Sequence, residues 1–263
     1  MKYYVVSDVH GYYTQLIKSL TDAGYFEEQQ PHRLIVCGDL LDRGREANRV
    51  IEFMLQQKEE GKLIYLLGNH EELMIRCMHE ILQGEAYTIA SGASVHYRNG
   101  TWDSLLQISE MSAREVCACP NELIRRVRQS RFYRELLPVC KDYFETEHYI
   151  FTHGWIPCHV EGVAYAKKYA YDPNWRDADE EAWYRARWCN GMELACKHHV
   201  KEPGKTVVCG HYTASYGHSA IEQDGRGIWY ADSDFSPFRA EGIWAIDGSV
   251  AASGILNCIV IED

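Results

Sequence analysis

The sequence lacks any uninterrupted apolar run approaching the roughly 20 residues that cross a bilayer, so no membrane span is expected. No secretory leader is expected either, since Met-Lys-Tyr-Tyr-Val-Val-Ser-Asp has neither an apolar stretch nor a small-residue cleavage site, and a cytoplasmic protein is the expectation. Positive charge is short, with 27 Lys and Arg against 38 Asp and Glu and a formal net charge of −11. A nucleic-acid grip depends on neutralising phosphates with Lys and Arg, so that class of partner is disfavoured. Thiol-rich metal motifs are missing too. The ten cysteines are scattered; Cys37, Cys77, Cys140, Cys209 and Cys258 sit in apolar runs, and the one-residue gap between Cys117 and Cys119 fits neither a zinc knuckle nor a redox pair. Reduced structural thiols are expected.

What is present is a globular composition, 46% apolar and 25% charged over 263 residues, with no internal repeat or low-complexity linker. The first seventy residues repeat one unit three times: an apolar strand, a polar turn and an amphipathic helix. Tyr3–Ser7 leads to Asp8-Val9-His10-Gly11 and a helix carrying Tyr13, Leu16, Ile17 and Leu20 that stops at Gly24. Arg33–Cys37 leads to Gly38-Asp39-Leu40-Leu41-Asp42-Arg43-Gly44 and a helix with Ala47, Val50, Ile51, Met54 and Leu55. Lys62–Leu67 leads to Gly68-Asn69-His70-Glu71 and a helix with Leu73, Met74, Cys77, Met78 and Ile81. Such βαβαβα order implies parallel strands with right-handed crossovers. A helical excursion is expected over about 85–145, and a second segment, 157–203, is rich in aromatic and charged residues. Further strands are predicted at His148–Thr152, Thr206–Cys209, Gly227–Ala231, Gly242–Ile246 and Ile255–Ile261. The expected organisation is one domain over 1–263 with these two insertions.

Five polar motifs follow apolar strands, the edge of an open α/β sheet where ligands bind. Asp8 and His10 lie two apart, and an extended segment would point both side chains the same way. Asp39 can bridge two ions with its two oxygens. Asn69 adds an amide oxygen, and His153 and His211 add imidazoles. Mixed oxygen and nitrogen donors without thiolate suit manganese, iron or zinc. Two ions about 3.5–4 Å apart clamp a phosphoryl group and acidify a water between them, the expected nucleophile. His70, next to a ligand, is the expected general acid, oriented by Asp42. Arg43 offers a planar fork to phosphate oxygens, with Asn69 beside it. Each motif alone is an ordinary turn or, for Asn69, a helix cap. Five in succession, each with a metal-competent residue, point to one cleft.

These motifs closely resemble the GDxHG, GDxVDRG, GNHE, HG and GH motifs of the phosphoprotein phosphatase (PPP) family, nearest to bacterial and bacteriophage lambda-type enzymes within the calcineurin-like metallophosphoesterases. The resemblance implies an α/β fold, a four-layer α/β/β/α sandwich of two mixed sheets. It implies two divalent ions, Mn²⁺ foremost, the first on Asp8, His10 and Asp39 and the second on Asp39, Asn69, His153 and His211. Trp183-Tyr184-Arg185 resembles the context of a further phosphate-gripping arginine, making Arg185 the candidate and Arg187 the reserve. Ser7, Leu67 and Trp155 depart from the family pattern, and Trp155 is expected to narrow or reshape the cleft. His198-His199 reads as a solvated pair and His218 as a neighbour of the His211 motif.

The implied substrate is phosphoserine or phosphothreonine in a protein, or another small phosphoester. The alternative is hydrolysis of a dinucleoside polyphosphate such as diadenosine tetraphosphate. Leu67 before Asn69 matches that branch, whereas Asp42 and Glu71 follow the protein-phosphatase pattern. A remote third reading, a metal-free scaffold, predicts eroded ligands, and none is eroded.

Overall fold

The computed structural model describes residues 1–162 and 167–263; residues 163–166, within the aromatic segment 157–203, lie outside the described residues. The three N-terminal units form as their periodicity predicts. Strands β1 (Lys2–Val6), β2 (His32–Cys37) and β3 (Leu63–Leu66) alternate with helices α1 (Tyr13–Asp22), α2 (Ala47–Glu59) and α3 (Asn69–Glu80). β1 pairs parallel with β2, and β2 with β3, so Val6 stands beside Val36 and Cys37 beside Leu66. Helix α1 ends where Gly24 takes φ 79°, a left-handed exit that other residues resist.

The excursion is helical: α4 (Ala86–Ala90), α5 (Val95–Arg98), α6 (Thr101–Ser109), α7 (Ala113–Ala118) and α8 (Pro120–Gln129). After it come β4 (Tyr143–Glu145), β5 (Tyr149–Thr152), a hairpin of β6 (Cys158–Glu161) and β7 (Lys168–Tyr171), then helices α9 (Glu180–Arg187) and α10 (Gly191–Cys196). The chain closes with β8 (Thr206–Cys209), β9 (Phe238–Ala240), β10 (Ile243–Ala245) and β11 (Cys258–Glu262).

These strands make two mixed sheets, ordered β11-β1-β2-β3 and β4-β5-β8-β10-β9, with β11, β4 and β9 antiparallel at the edges. Alternation along β1 shows how they stack. Tyr4 and Val6 face the helices with Leu34 and Val36, while Tyr3 and Val5 face the second sheet's Phe151 and Val208. The second sheet's other face, with Ile150, Val207 and Ile243, packs on Trp183, Met192 and Leu194 of α9 and α10. The order is helix, sheet, sheet, helix.

Four strands were not foreseen: β4, β6, β7 and β9. Each has only three or four residues, and each pairs through partners that local sequence does not reveal. Conversely, Gly227–Ala231 is a loop despite its strand-like Ile-Trp-Tyr. Its backbone groups go to side chains, with the Ile228 carbonyl accepting from Ser215 Oγ at 2.7 Å and Tyr230 N donating to Ser233 Oγ at 2.9 Å.

Candidate metal centre

Six strands end at one edge of the sandwich, and the residues just beyond them converge. Asp8 follows β1, Asp39 follows β2, Asn69 follows β3, His153 follows β5, His211 follows β8 and Asp247 follows β10. All are buried except His211, which is half-buried. The expected extended geometry at Asp8 and His10 is not what delivers them. Both have φ 51°, and Asp39 (54°), Asp42 (78°), Arg43 (65°) and His211 (67°) share this left-handed region. Tight turns, not strand alternation, turn these side chains inward, at a backbone cost of order 1–3 kcal/mol each. The turns lie so close that a Cβ on Gly68 would stand 2.2 Å from Asp39 Oδ1, and one on Gly210 2.1 Å from Asp8 Oδ2.

Asp39 is central. His10 Nε2 is 3.8 Å and His70 Nε2 3.8 Å from its Oδ2, and His153 Nε2 is 3.3 Å from its Oδ1. Asp8 Oδ1 stands 3.9 Å from His10 Nε2. His153 Nε2 is 2.7 Å from Asn69 Oδ1, and the His153 and His211 rings are 5.1 Å apart. Asn69 therefore does not cap α3. Glu71 does, accepting from Gly68 N at 2.8 Å, and it also accepts from Asp39 N, Leu40 N and the Tyr65 hydroxyl.

The donor set fits cations. Among the described residues, no Lys or Arg is ion-paired with Asp8, Asp39 or Asp247. Burying such carboxylates unpaired costs several kcal/mol each, which bound cations would offset. Burial, reinforced by Asp8 and Glu71, pushes the Asp39 carboxyl well above its ordinary range, although the His70 charge opposes it. Asp247 is pushed up to about 8 by burial and then by Asp8. The histidines are set as ligands. His10 Nδ1 donates to the Leu41 carbonyl at 3.0 Å and His153 Nδ1 to the Cys37 carbonyl at 2.8 Å, which leaves both Nε2 lone pairs facing the carboxylates. Burial, then neighbouring positive charge, holds His10 and His211 well below the usual imidazole range, hence neutral. Donor atoms of Asp39, His153 and His211 lie within 4.8 Å of one another, and so do those of His10, Asp39 and His70.

His70 could by distance join that first group. Its setting differs from that of His10, however. Its Nδ1 is 2.7 Å from Asp42 Oδ2 rather than on a carbonyl, and its Nε2 is 3.3 Å from Arg43 Nη2. Burial lowers its basicity, but Asp39 and Asp42 outweigh burial and raise it above the ordinary value. A group that favours its proton is a poor ligand and a suitable acid. Helix α6 braces this pair: Thr101 Oγ1 donates to Asp42 Oδ2 at 2.6 Å, and Asp42 N donates to Ser104 Oγ at 2.8 Å. Part of the helical excursion thus supports the site from behind.

Arg185 and Arg187 separate completely. Arg187 is 3% exposed and locked to Glu72 and, at 2.7 Å, to Asp142, so it has no reach toward a substrate. Arg185 is 54% exposed, beside Trp188 and Tyr212 at a groove adjoining His211. Trp155 does not narrow the cleft. It is fully buried under α10, donating from Nε1 to the Val200 carbonyl at 3.1 Å, because its side chain points into the outer core of the second sheet. His198 packs on Tyr169, and His218 bonds Glu222 and the Ser236 carbonyl, so neither joins the cluster. Asp247 was missed from sequence, although the signal existed: like Asp39, it is an Asp beside a Gly just past a strand. The bracing roles of Glu71 and Thr101 had no such signal.

The profile of the calcineurin-like phosphoesterases matches residues 1–241. The chain belongs to this family. Calcineurin-like phosphoesterases are dinuclear metal-dependent hydrolases of phosphoric esters. The chain is 25% identical over 139 residues to the asymmetrical bis(5'-nucleosyl)-tetraphosphatase PrpE of Bacillus velezensis, covering 51% of each. It is 24% identical over 139 residues to the Bacillus subtilis protein of the same name, covering 51% of this chain and 52% of that one. It thus spans about half the length of the curated relatives it matches. Among solved structures, a cold-active protein tyrosine phosphatase mutant superposes with TM-score 0.50 at 16% identity, over 100% of this chain and 75% of that one. That likeness concerns the fold alone.

Proposed function

We propose that the chain is a dinuclear metal-dependent phosphoesterase, a single catalytic domain, whose substrate is a dinucleoside polyphosphate. One observation carries the phosphoesterase reading: Asp8, Asp39 and Asp247 are buried without a basic ion-pair partner among the described residues, and histidine Nε2 lone pairs face Asp8 and Asp39. Asp8, His10 and Asp39 would hold the first ion, and Asp39, Asn69, His153 and His211 the second. Such ions, Mn²⁺ foremost with Fe or Zn as alternatives, supply Lewis-acid polarisation of phosphoryl oxygens and an acidified water. The chain's own groups do the rest. The Arg43 guanidinium and the Asn69 amide orient phosphate oxygens, joined by Arg185 from the groove side. A proton at His70 Nε2 passes to the leaving oxygen, while Asp42 keeps the other proton on Nδ1.

Three features support the dinucleotide over a phosphoprotein. The curated relatives carry that activity in their names. Leu67 matches the same branch. Glu71, which follows the protein-phosphatase pattern, spends its carboxylate on backbone amides and Tyr65 and meets no substrate. One observation favours phosphoserine or phosphothreonine as a second reading: the 2.7 Å Asp42–His70 pair. An alkoxide leaving group needs a positioned acid far more than a nucleotide does. With Mn²⁺, kcat/KM for diadenosine tetraphosphate and a phosphothreonine peptide, measured side by side, tests the choice. Preference for the dinucleotide is the expected result, and preference for the peptide transfers the function to the second reading.

A further inference from the structure

A groove of about 400 Å³ adjoins the metal centre, between helices α9 and α10 and the β6–β7 hairpin. Its lining is unusual for a surface of a chain this acidic. Trp188 and Tyr212 are each 40% exposed and Tyr184 45%, and Tyr169 lies opposite, with Arg185 and Lys167 on the rim. Solvated aromatic faces of this size are not needed for the core, which buries Trp155, Trp175 and Trp183 beneath them.

The groove is continuous with the chemistry. The Trp188 and Tyr212 rings lie 5.9 and 5.4 Å from the His211 ring. Whatever binds here sits one residue from a candidate ligand. Asn190 adds a directional group. Its side-chain oxygen accepts from Met192 N and Glu193 N to start α10, which leaves its NH₂ as a donor at the groove. Lys167 and Arg185 complement phosphate, Arg185 sharing its guanidinium with the exposed Glu181 at 2.5 Å, whereas the nearby Glu193 carboxylate is spent on Lys197 and Tyr216.

We propose that this groove is a nucleobase subsite that seats one nucleoside end of the substrate, its base stacked on Trp188 and Tyr212. The assignment rests on the dinucleotide reading above and deepens it. A base offers two flat faces to aromatic rings and ring nitrogens to the Asn190 amide, and the polyphosphate runs from it past Arg185 toward His211. Pockets of this kind, apolar walls with a few placed polar groups, suit small ligands of nucleoside size. Base–aromatic stacking contributes on the order of a tenfold affinity change or more per base.

The test compares AMP with ribose 5-phosphate, the same phosphate without the base, titrated calorimetrically into Mn²⁺-loaded protein. In the wild type, AMP should bind about tenfold tighter. That gap should close in Trp188→Ala, narrow in Tyr212→Ala and largely survive in Trp188→Phe, which also guards against misfolding. Equal affinities in the wild type, or a gap that persists in both alanine variants, would overturn the subsite. Should the gap follow Trp188 while the phosphopeptide outruns the dinucleotide as substrate, the base subsite stands and the substrate reading falls. Should the dinucleotide be favoured but the gap ignore both aromatic residues, the substrate reading stands and the subsite falls.

Discussion

Two regions meet at His211 and are built on opposite principles. On one side is a buried cluster in which Asp8, His10, Asp39, Asp42, Arg43 and His211 occupy the left-handed backbone region, stitched by carbonyls, Glu71 and the start of α6. On the other is an open groove whose Tyr184, Trp188 and Tyr212 are 40–45% exposed and carry no comparable backbone constraint. The cluster must hold charges at fixed separations without water, so the fold spends strain and buried polar contacts on it. The groove needs only flat apolar faces and a few cations, so surface side chains suffice. In the function proposed above, reaction chemistry falls to the first region and choice of substrate to the second.

The sharpest way to break this division is at Asp39. Asp39→Asn should strip both ions and lower kcat/KM by about 10⁴ or more, since metal activation is lost outright. Metal analysis beside kinetics checks it, and two tightly held ions in that variant would refute the bridging assignment. His70→Asn should leave metal content near normal and lower kcat by about 10²–10⁴ for an alkyl phosphomonoester, with a smaller loss for a dinucleotide. Equal losses of metal and rate would move His70 among the ligands.

The two arginines of α9 sharpen the comparison on a single helix. Arg187→Ala leaves the half-buried Glu72 unpaired and should cost about 3 kcal/mol of stability, at the low end for a broken buried pair because both Glu72 and Asp142 are partly exposed. Arg185→Ala should leave the melting temperature alone and raise KM severalfold. Denaturant titration beside kinetics separates them, and a stability loss in Arg185→Ala would contradict its place at the groove.

The smallest expected effect concerns Asp247. Burial, and then the Asp8 charge, pushes its carboxyl from the ordinary aspartate range up to about 8, so its protonated form favours folding. That contribution is full below about pH 4 and drains as pH rises through 8. In metal-free protein, Asp247→Asn should therefore gain a few degrees in Tm over wild type at pH 8 and less at pH 5. A gain independent of pH would mean the carboxyl is not protonated in the fold.

The three βα units were legible because their apolar residues recur at strand and helix periods within short windows, as in Leu16, Ile17 and Leu20. The candidate donors Asp8, Asp39, Asn69, His153 and His211 could be read for a related reason, since each follows a strand where the topology forces convergence, whereas Asp247, in the same kind of position, was missed. Short edge strands such as Phe238–Ala240 were not, since three residues carry no period and their pairing is set by a distant partner. Gly227–Ala231 misled because β-branched and aromatic content marks a strand only when an edge is available to pair with.

The amino-acid order alone determined which residues could do chemistry here, the donors after each strand and the layered α/β frame that gathers them, since local periodicity and strand direction are written in it. Tertiary structure decided everything that depends on where a side chain points from a given Cα. It sent Arg185 outward and Arg187 into an ion pair two residues away, buried Trp155 under α10 rather than in the cleft, gave Glu71 to the backbone, brought Asp247 beside Asp8, and set Trp188 and Tyr212 around His211. Those outcomes follow from helix phase and long-range packing, which residue identity at a single position does not specify.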